Sequence, residues 1–348
     1  MTPHRIAVLP GDGIGPDVIA EALKVLRAVE DRMARPCEFT EYSVGAGEFL
    51  RGGDPMPRET FERIRTHDAI LLGAMGLPDV RWPSGQEMAP QLDLREDLQL
   101  YCGLRPIRLY HAADSPLKKY AAGEIDFAIV RESTEGMFSS RKETYAPDAA
   151  SVTDRLTITR LGSERVIRSA FREASRRKGL VALVDKANVL PSMSYFRRIF
   201  DEVGEEYPEI RKEKVYVDAA ALYLVQRPHT FDVMVTENLF GDILSDLAAG
   251  IVGGMGMAPS GDIGDRHAVF QPSHGSAPDI AGRGIANPIA AILSVAMMLE
   301  WLCEWDACAA IRGAVEQVLA APENRTPDLG GRLTTEEMGG LISSALRR

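Results

Sequence analysis

Asp242 and Asp246 stand four residues apart in TENLFGDILSD, residues 236–246, in a stretch otherwise made mostly of Leu, Ile, Phe and Gly. On a helix, positions i and i+4 share a face, and two like charges there cost about 0.2–0.5 kcal/mol unless something positive sits between them. Joined by a third acid such as Asp218 in VYVDAA, the pair offers the hard oxygen ligands that hold Mg2+ or Mn2+ together with water and substrate. A bare DxxxD is more often a solvated or capping face. The residues around this one are what point to a cation.

The elements that must position these groups follow from hydrophobic periodicity. Short β-branched runs recur between longer helix-period stretches: IAVL at 6–9, AILLG at 69–73, FAIV at 127–130, LVALV at 180–184 and DVMV at 232–235. This alternation predicts an α/β architecture with a substantially parallel sheet. Polar groups collect just after the runs: Arg131 and Glu132, then Asp185, Lys186 and Asn188, then Glu237 and Asn238. One such strand end is unremarkable, but three in succession predict a ligand crevice at the carboxyl ends of the strands.

Composition narrows the function classes. A chain of 348 residues with 45% hydrophobic content can build a large core, and chains above roughly 250–300 residues tend to divide into two lobes. The formal charge of −10 comes from acids interleaved with bases, leaving no basic stripe to neutralise a phosphate backbone, so nucleic acid is not an expected partner. No run approaches the ~18–20 apolar residues of a membrane span, and the apolar start is too short for a signal core, so a cytoplasmic protein is expected. Cys37, Cys102, Cys303 and Cys308 form no CxxC pair and read as reduced thiols.

PGDGIGPDV at 10–18 follows the first strand but lacks the GxGxxG spacing of a dinucleotide fingerprint. It reads as a tight glycine turn with Pro16 at the first helical position, and it could also let backbone approach a ligand. Residues 139–161, which include Pro147, predict a loop and an extended arm, and the glycine-rich 253–265 predicts a turn region crossing between lobes.

Six segments together resemble the metal-dependent β-decarboxylating dehydrogenases, the family of isopropylmalate, isocitrate, homoisocitrate and tartrate/D-malate dehydrogenases. They are PGDGIGP, LREDLQLYCGLRP at 94–106, VRESTEG at 130–136, DKANVL at 185–190, TENLFGDILSD, and HGSAPDIAGRGIANP at 274–288. They run in the family's order along essentially the whole chain, closest to the NAD-dependent isopropylmalate and tartrate/D-malate branch. The resemblance implies a two-lobed isopropylmalate dehydrogenase-like α/β fold with a mixed, largely parallel sheet, not a Rossmann fold. Residues 1–100 and 253–348 would form the cofactor-binding lobe, and 101–252 the lobe for substrate, metal and dimer interface.

Residue by residue, the resemblance implies that Asp242 and Asp246 bind Mg2+ or Mn2+ with Asp218 of a neighbouring subunit. Arg95, Arg105 and Arg131 would grip the substrate carboxylates, a task that suits a planar bidentate fork. Lys186, also from the partner subunit, would act with Asp218 in moving protons, its ammonium form disfavoured by nearby cations. His274, Gly275, Ser276, Ala277, Asp279, Ile280 and Asn287 match the adenosine-binding loop, and the carboxylate of Asp279 would repel a 2'-phosphate, so NAD is the expected cofactor. The implied reaction is oxidation of a malate-type 2-hydroxy acid at C2, loss of CO2 from the resulting β-oxo acid, and protonation of the enolate. A homodimer with shared sites follows from the assignments of Lys186 and Asp218.

Three departures from the family pattern bear on chemistry. Phe138 stands where a tyrosine is usual, and a phenyl ring cannot give the enolate its proton, so Tyr145 or water would have to replace it. Gln91 and Leu92 stand where isopropylmalate enzymes carry two leucines, which turns one wall of the γ-substituent pocket polar. Gln271 replaces a usual glutamate near the cofactor. Two readings result: an active enzyme on 3-isopropylmalate, D-malate or tartrate, or a weakened paralogue that binds a dicarboxylate or cofactor with little turnover.

Overall fold

The computed structural model describes residues 2–83, 85–146 and 148–347; Pro147 of the expected loop lies outside the described residues. In chain order the elements are β1 (His4–Gly11), α1 (Gly15–Arg27), β2 (Cys37–Glu41), α2 (Ala46–Gly52), α3 (Arg58–Ile64), β3 (Ala69–Ala74), α4 (Pro90–Asp97), β4 (Cys102–Arg108), β5 (Asp126–Glu132), α5 (Arg160–Ala174) and β6 (Leu180–Asp185). They continue with α6 (Pro191–Gly204), β7 (Arg211–Tyr216), α7 (Val217–Gln226), β8 (Val233–Thr236), α8 (Asn238–Gly250), β9 (Pro259–Ile263), β10 (Ala268–Pro272), α9 (Ile289–Trp301), α10 (Trp305–Leu319) and α11 (Thr335–Leu346). The five apolar runs are β1, β3, β5, β6 and β8.

All ten strands join one sheet in the order β2-β1-β3-β10-β9-β4-β5-β8-β6-β7. Pairing is parallel except at β10–β9, β9–β4 and β4–β5, so the sheet is mixed and largely parallel. Strands from residues 4–74 and 259–272 fill one half and strands from 102–236 the other. They meet where β4 pairs β9, with Gly103 opposite Asp262.

Side-chain alternation along each strand feeds a core on both faces. In the first half, Ile6, Val8, Leu71 and Phe270 pack under α1, α9, α10 and α11, while Ala7, Leu9, Ile70 and Leu72 pack against Phe61 of α3 and Leu94 of α4. In the second half, Val130, Leu183 and Val235 lie under α5 and α6, and Ile129, Val184 and Met234 under α7 and α8.

One expectation needs correcting. The glycine-rich 253–265 is not only a turn, because it contains β9, a strand with partners on both sides in the middle of the sheet. Gly261 serves packing there, since a Cβ would stand 3.0 Å from the Phe270 ring. The arm is extended as expected: no helix or strand falls among the described residues 141–159, and a single bridge joins Gly136 to Thr157.

Candidate active site

A cleft of about 250 Å³ opens where the two halves of the sheet meet, and it gathers much of the expected chemistry. Gln91, Leu92 and Arg95 enter from α4, Arg105 from β4, Arg131 from β5, Asp242 and Asp246 from α8, and His274 and Gly275 from the loop after β10. Strand alternation selects the arginines: Arg105 and Arg131 face the cleft while their neighbours Leu104 and Val130 face the other side of the sheet.

The scaffold under these side chains is specific. Arg131 is 2% exposed; its Nε and Nη2 donate to Asn238 Oδ1 at 2.9 and 2.6 Å, and its Nη1 pairs with Asp242. Gly241 of α8 lies directly on its stem, where a Cβ would come within 2.6 Å. Glu237 accepts from Leu239 N and Phe240 N, capping α8 and so fixing the face that carries both aspartates. Several polar residues at the strand ends are therefore scaffold rather than ligand contacts, which corrects the expectation that they crowd the crevice. Asp185 is held by Arg197 through two 2.7 Å bonds, and Glu132 accepts from Thr134 N and Glu135 N.

Charge in the cleft is incompletely paired. Arg105 is buried with Nη1 lacking any partner, and Gln91 Oε1 is buried with no donor. Burial, then the charge of Arg95, lowers the Arg131 guanidinium to about 10, and burial lowers Arg105 in the same direction. Both stay protonated at neutral pH. A buried cation without a partner is costly until an anion arrives, so the cleft is built for carboxylates. Burial, then the charge of Asp242, pushes the Asp246 carboxyl up against the pull of Arg105 and Arg131. Arg131 relieves part of the repulsion between the two aspartates, and two carboxylates on one helix face remain a fitting oxygen donor set for a divalent cation.

Beneath the arginines lies a residue that the sequence reading missed. Asp262 on β9 is 1% exposed, with Oδ2 3.0 Å from Arg95 Nε in an ion contact that lacks hydrogen-bond alignment. Gln271 Nε2 donates to the same oxygen at 3.0 Å. Burial alone would raise the Asp262 carboxyl, but Arg95, Arg105 and Arg131 outweigh it and the net shift is downward. An acid in a central strand was the available signal, hidden by the glycine-rich context of PSGDIGD.

Lys186 and Asp218 lie together outside this cleft. Lys186, after β6, donates to Asp218 Oδ2 at 2.8 Å; that bond holds the exposed Asp218 carboxyl below its usual range. Among the described residues no three His, Cys, Asp or Glu side chains of one chain converge on a metal position. Phe138 lines the cleft with its ring centroid 5.2 Å from the Arg131 guanidinium carbon. Tyr145 is 66% exposed and does not line the cleft, which removes it as a replacement proton donor within its own chain.

The loop carrying Ser276, Ala277, Asp279 and Ile280 is latched to the glycine turn after β1. Ile14 N donates to Ser276 O at 2.8 Å, and a Cβ on Gly13 would strike that carbonyl at 1.9 Å. Asp12 accepts from Ala46 N, Gly47 N and Gly76 N, tying the start of α2 and the loop after β3 to the same turn. Thus the close backbone approach in PGDGIGP is to another loop of the chain. Asp279 is exposed, and Ile280 packs against the first core. Asn287 donates to Asp328 Oδ2 and accepts from Ile289 N at the start of α9. Burial pushes the His274 imidazole below its ordinary range, so it is neutral at pH 7.

Fold and site together define an α/β protein with a buried cationic cleft flanked by a pair of carboxylates. The family model for isocitrate/isopropylmalate dehydrogenase matches residues 5–342. A 3-isopropylmalate dehydrogenase of Moorella thermoacetica is 46% identical over 99% of both chains, and one of Thermobifida fusca is 46% identical over 95% of each. The fold superposes on an isocitrate dehydrogenase of Methylococcus capsulatus with TM-score 0.91 at 36% identity, covering 99% of this chain and 100% of that one. A β-decarboxylating dehydrogenase of Thermococcus kodakarensis gives TM-score 0.83 at 41% identity, covering 99% and 96%. The chain belongs to the isocitrate/isopropylmalate dehydrogenase family.

Proposed function

We propose that the protein is an NAD- and divalent-metal-dependent β-decarboxylating dehydrogenase, converting a malate-type 2-hydroxy dicarboxylate and NAD+ to a 2-oxo acid, CO2 and NADH. The observation that carries this reading is the convergence of Arg95, Arg105 and Arg131 with Asp242 and Asp246 on one cleft. The arginines bind and orient the two carboxylates, converting an intermolecular encounter into a fixed geometry. Asp242 and Asp246, with Asp218 of a second protomer, would hold Mg2+ or Mn2+. When bound, that ion would polarise the hydroxyl and later the enolate oxygen, while NAD would accept the hydride from C2. Lys186 of the second protomer takes the hydroxyl proton and hands it on through its hydrogen bond to Asp218. Phe138 offers no proton for the enolate carbon, so water supplies it.

The loop from His274 to Ile280, with Asn287, would bind the adenosine half, and Asp279 favours NAD over its 2'-phosphorylated form. Residues 1–100 and 253–348 then act as the cofactor lobe and 101–252 as the substrate and dimer lobe. Support for a homodimer comes from exposed apolar side chains on the helices that adjoin Asp218 and the cleft. Leu222 and Val225 of α7 and Ile243 of α8 are solvent-facing in the single chain. The protein would work in the cytoplasm; none of the described helices is long and apolar enough to cross a membrane.

The test is NADH formation by absorbance with NAD and Mn2+ against 3-isopropylmalate, D-malate, tartrate and isocitrate, with CO2 followed in parallel. Matching NADH and CO2 from a malate-type acid is expected. Absence of both for every acid would favour a weakened paralogue, whose remaining support is Phe138 and Gln271.

A further inference from the structure

The three cleft arginines do not surround empty space. Asp262 sits under them, 1% exposed, within 3.0 Å of Arg95 Nε and held by the Gln271 amide at 3.0 Å. Its other oxygen, Oδ1, is buried with no partner, and the β9–β4 register places it opposite Gly103, where a Cβ would stand 3.4 Å away. The carboxylate is therefore held by the Gln271 amide and the charge of Arg95, with Oδ1 turned toward Gly103. Gln271 contributes to the same arrangement. A carboxylate at 271 would lack the N–H that now meets Asp262 and would set two anions about 3 Å apart, which a site cannot keep ionised together.

We propose that Asp262 is a resident counter-charge that fixes the net charge of the substrate the cleft accepts, admitting malate-type dicarboxylates whose third substituent is uncharged and rejecting tricarboxylates. This rests on the proposed function of the same cleft. Three guanidiniums against one carboxylate leave two positive charges for the ligand. With Lys186 neutral as the base, Asp242, Asp246 and the second protomer's Asp218 sum to three negatives, which the divalent cation and the positively charged nicotinamide of NAD+ would offset. A substrate with two carboxylates closes the balance, whereas a third adds an anion to a cleft whose arginine charge Asp262 has already partly neutralised. Like charges brought close in a partly desolvated site repel strongly enough to cost about tenfold or more in affinity. Asp262 lies behind the arginines and does not line the cleft, so it acts as a positioning and charge-setting residue.

Two inert probes that differ by one carboxylate test this without turnover: glutarate and tricarballylate, measured by calorimetric binding to the full-length protein. The wild type is expected to bind glutarate at least about tenfold more tightly, and the D262N variant to lose that preference. The D262N/Q271E double variant, which returns the charge to the β10 side chain that now donates to Asp262, is expected to recover it. In turnover, D262N shifts the ratio of isocitrate to dicarboxylate kcat/KM by about tenfold or more, mainly through KM. Tighter binding of tricarballylate by the wild type overturns the proposal, as does a folded D262N protein whose preference stays within twofold. If D262N does not fold, the wild-type comparison alone decides. Glutarate binding without turnover of any 2-hydroxy acid would refute the proposed function and leave the charge assignment standing.

Discussion

Two clefts open on opposite faces of the same strands, and the larger one has the weaker claim to chemistry. The front cleft, about 250 Å³, takes Arg105, Arg131 and Gln271; the back cleft, about 630 Å³, takes their neighbours Leu104, Val130 and Phe270. Behind the sheet, several charges meet partners: Arg108 meets Asp126 at 3.3 Å and Glu316 at 2.5 Å, Arg312 meets Glu300 at 2.5 Å, and the Tyr101 hydroxyl donates to Asp265 at 2.8 Å. In front, Arg105 Nη1 and Gln91 Oε1 are buried without partners. Unpartnered buried polar groups mark the front cleft as the candidate ligand site more strongly than volume marks the back one, because they carry a cost that only a ligand removes.

Removing one arginine from each face separates the two clefts by the largest effect. Arg105→Leu takes away a buried carboxylate partner and is expected to lower kcat/KM by about 30-fold to 1,000-fold, the equivalent of about 2–4 kcal/mol. Arg108→Ala removes a half-exposed cation from the back cleft, and kcat/KM stays within about twofold, with unfolding stability changed by no more than about 1 kcal/mol. Steady-state kinetics and urea unfolding of both variants measure the contrast; similar kinetic losses would erase the distinction between the faces.

A smaller effect sharpens the front cleft further. The Phe138 ring lies against the Arg131 guanidinium, a cation–π contact worth about 0.5–1 kcal/mol. Phe138→Ala is therefore expected to raise the substrate KM about two- to fivefold, while Phe138→Tyr, which keeps the ring, leaves KM within about twofold. A Phe138→Ala protein with unchanged KM would show that the ring only fills space.

Much of this was legible in the sequence because it depends on local pattern. Short apolar β-branched runs and the helix-period stretches between them predicted the sheet and helices, the i, i+4 spacing put Asp242 and Asp246 on one face of α8, and the motif matches brought Arg95, Arg105 and Arg131 to one cleft. What stayed hidden depends on register between distant strands. Nothing near Asp262 in sequence reveals that β9 slides it opposite Gly103, or that Gln271 from β10 will reach it. The same limit made β9 look like a loop, since Gly261 is there for the Phe270 ring and not for a turn. Glu237 illustrates the opposite error: a strand-end acid that resembled a ligand is the cap of α8.

As proposed above, the front cleft works only when a second copy brings Lys186 and Asp218 to Asp242 and Asp246. The most direct measurement pairs two inactive variants, Lys186→Met and Asp242→Asn, dissociated and reassociated together, then assayed for NADH and CO2. A shared site in a two-fold dimer gives one intact centre in each hybrid, so recovery of about a quarter of wild-type activity is expected. No recovery from properly reassociated hybrids would contradict the claim and place the complete site within one chain.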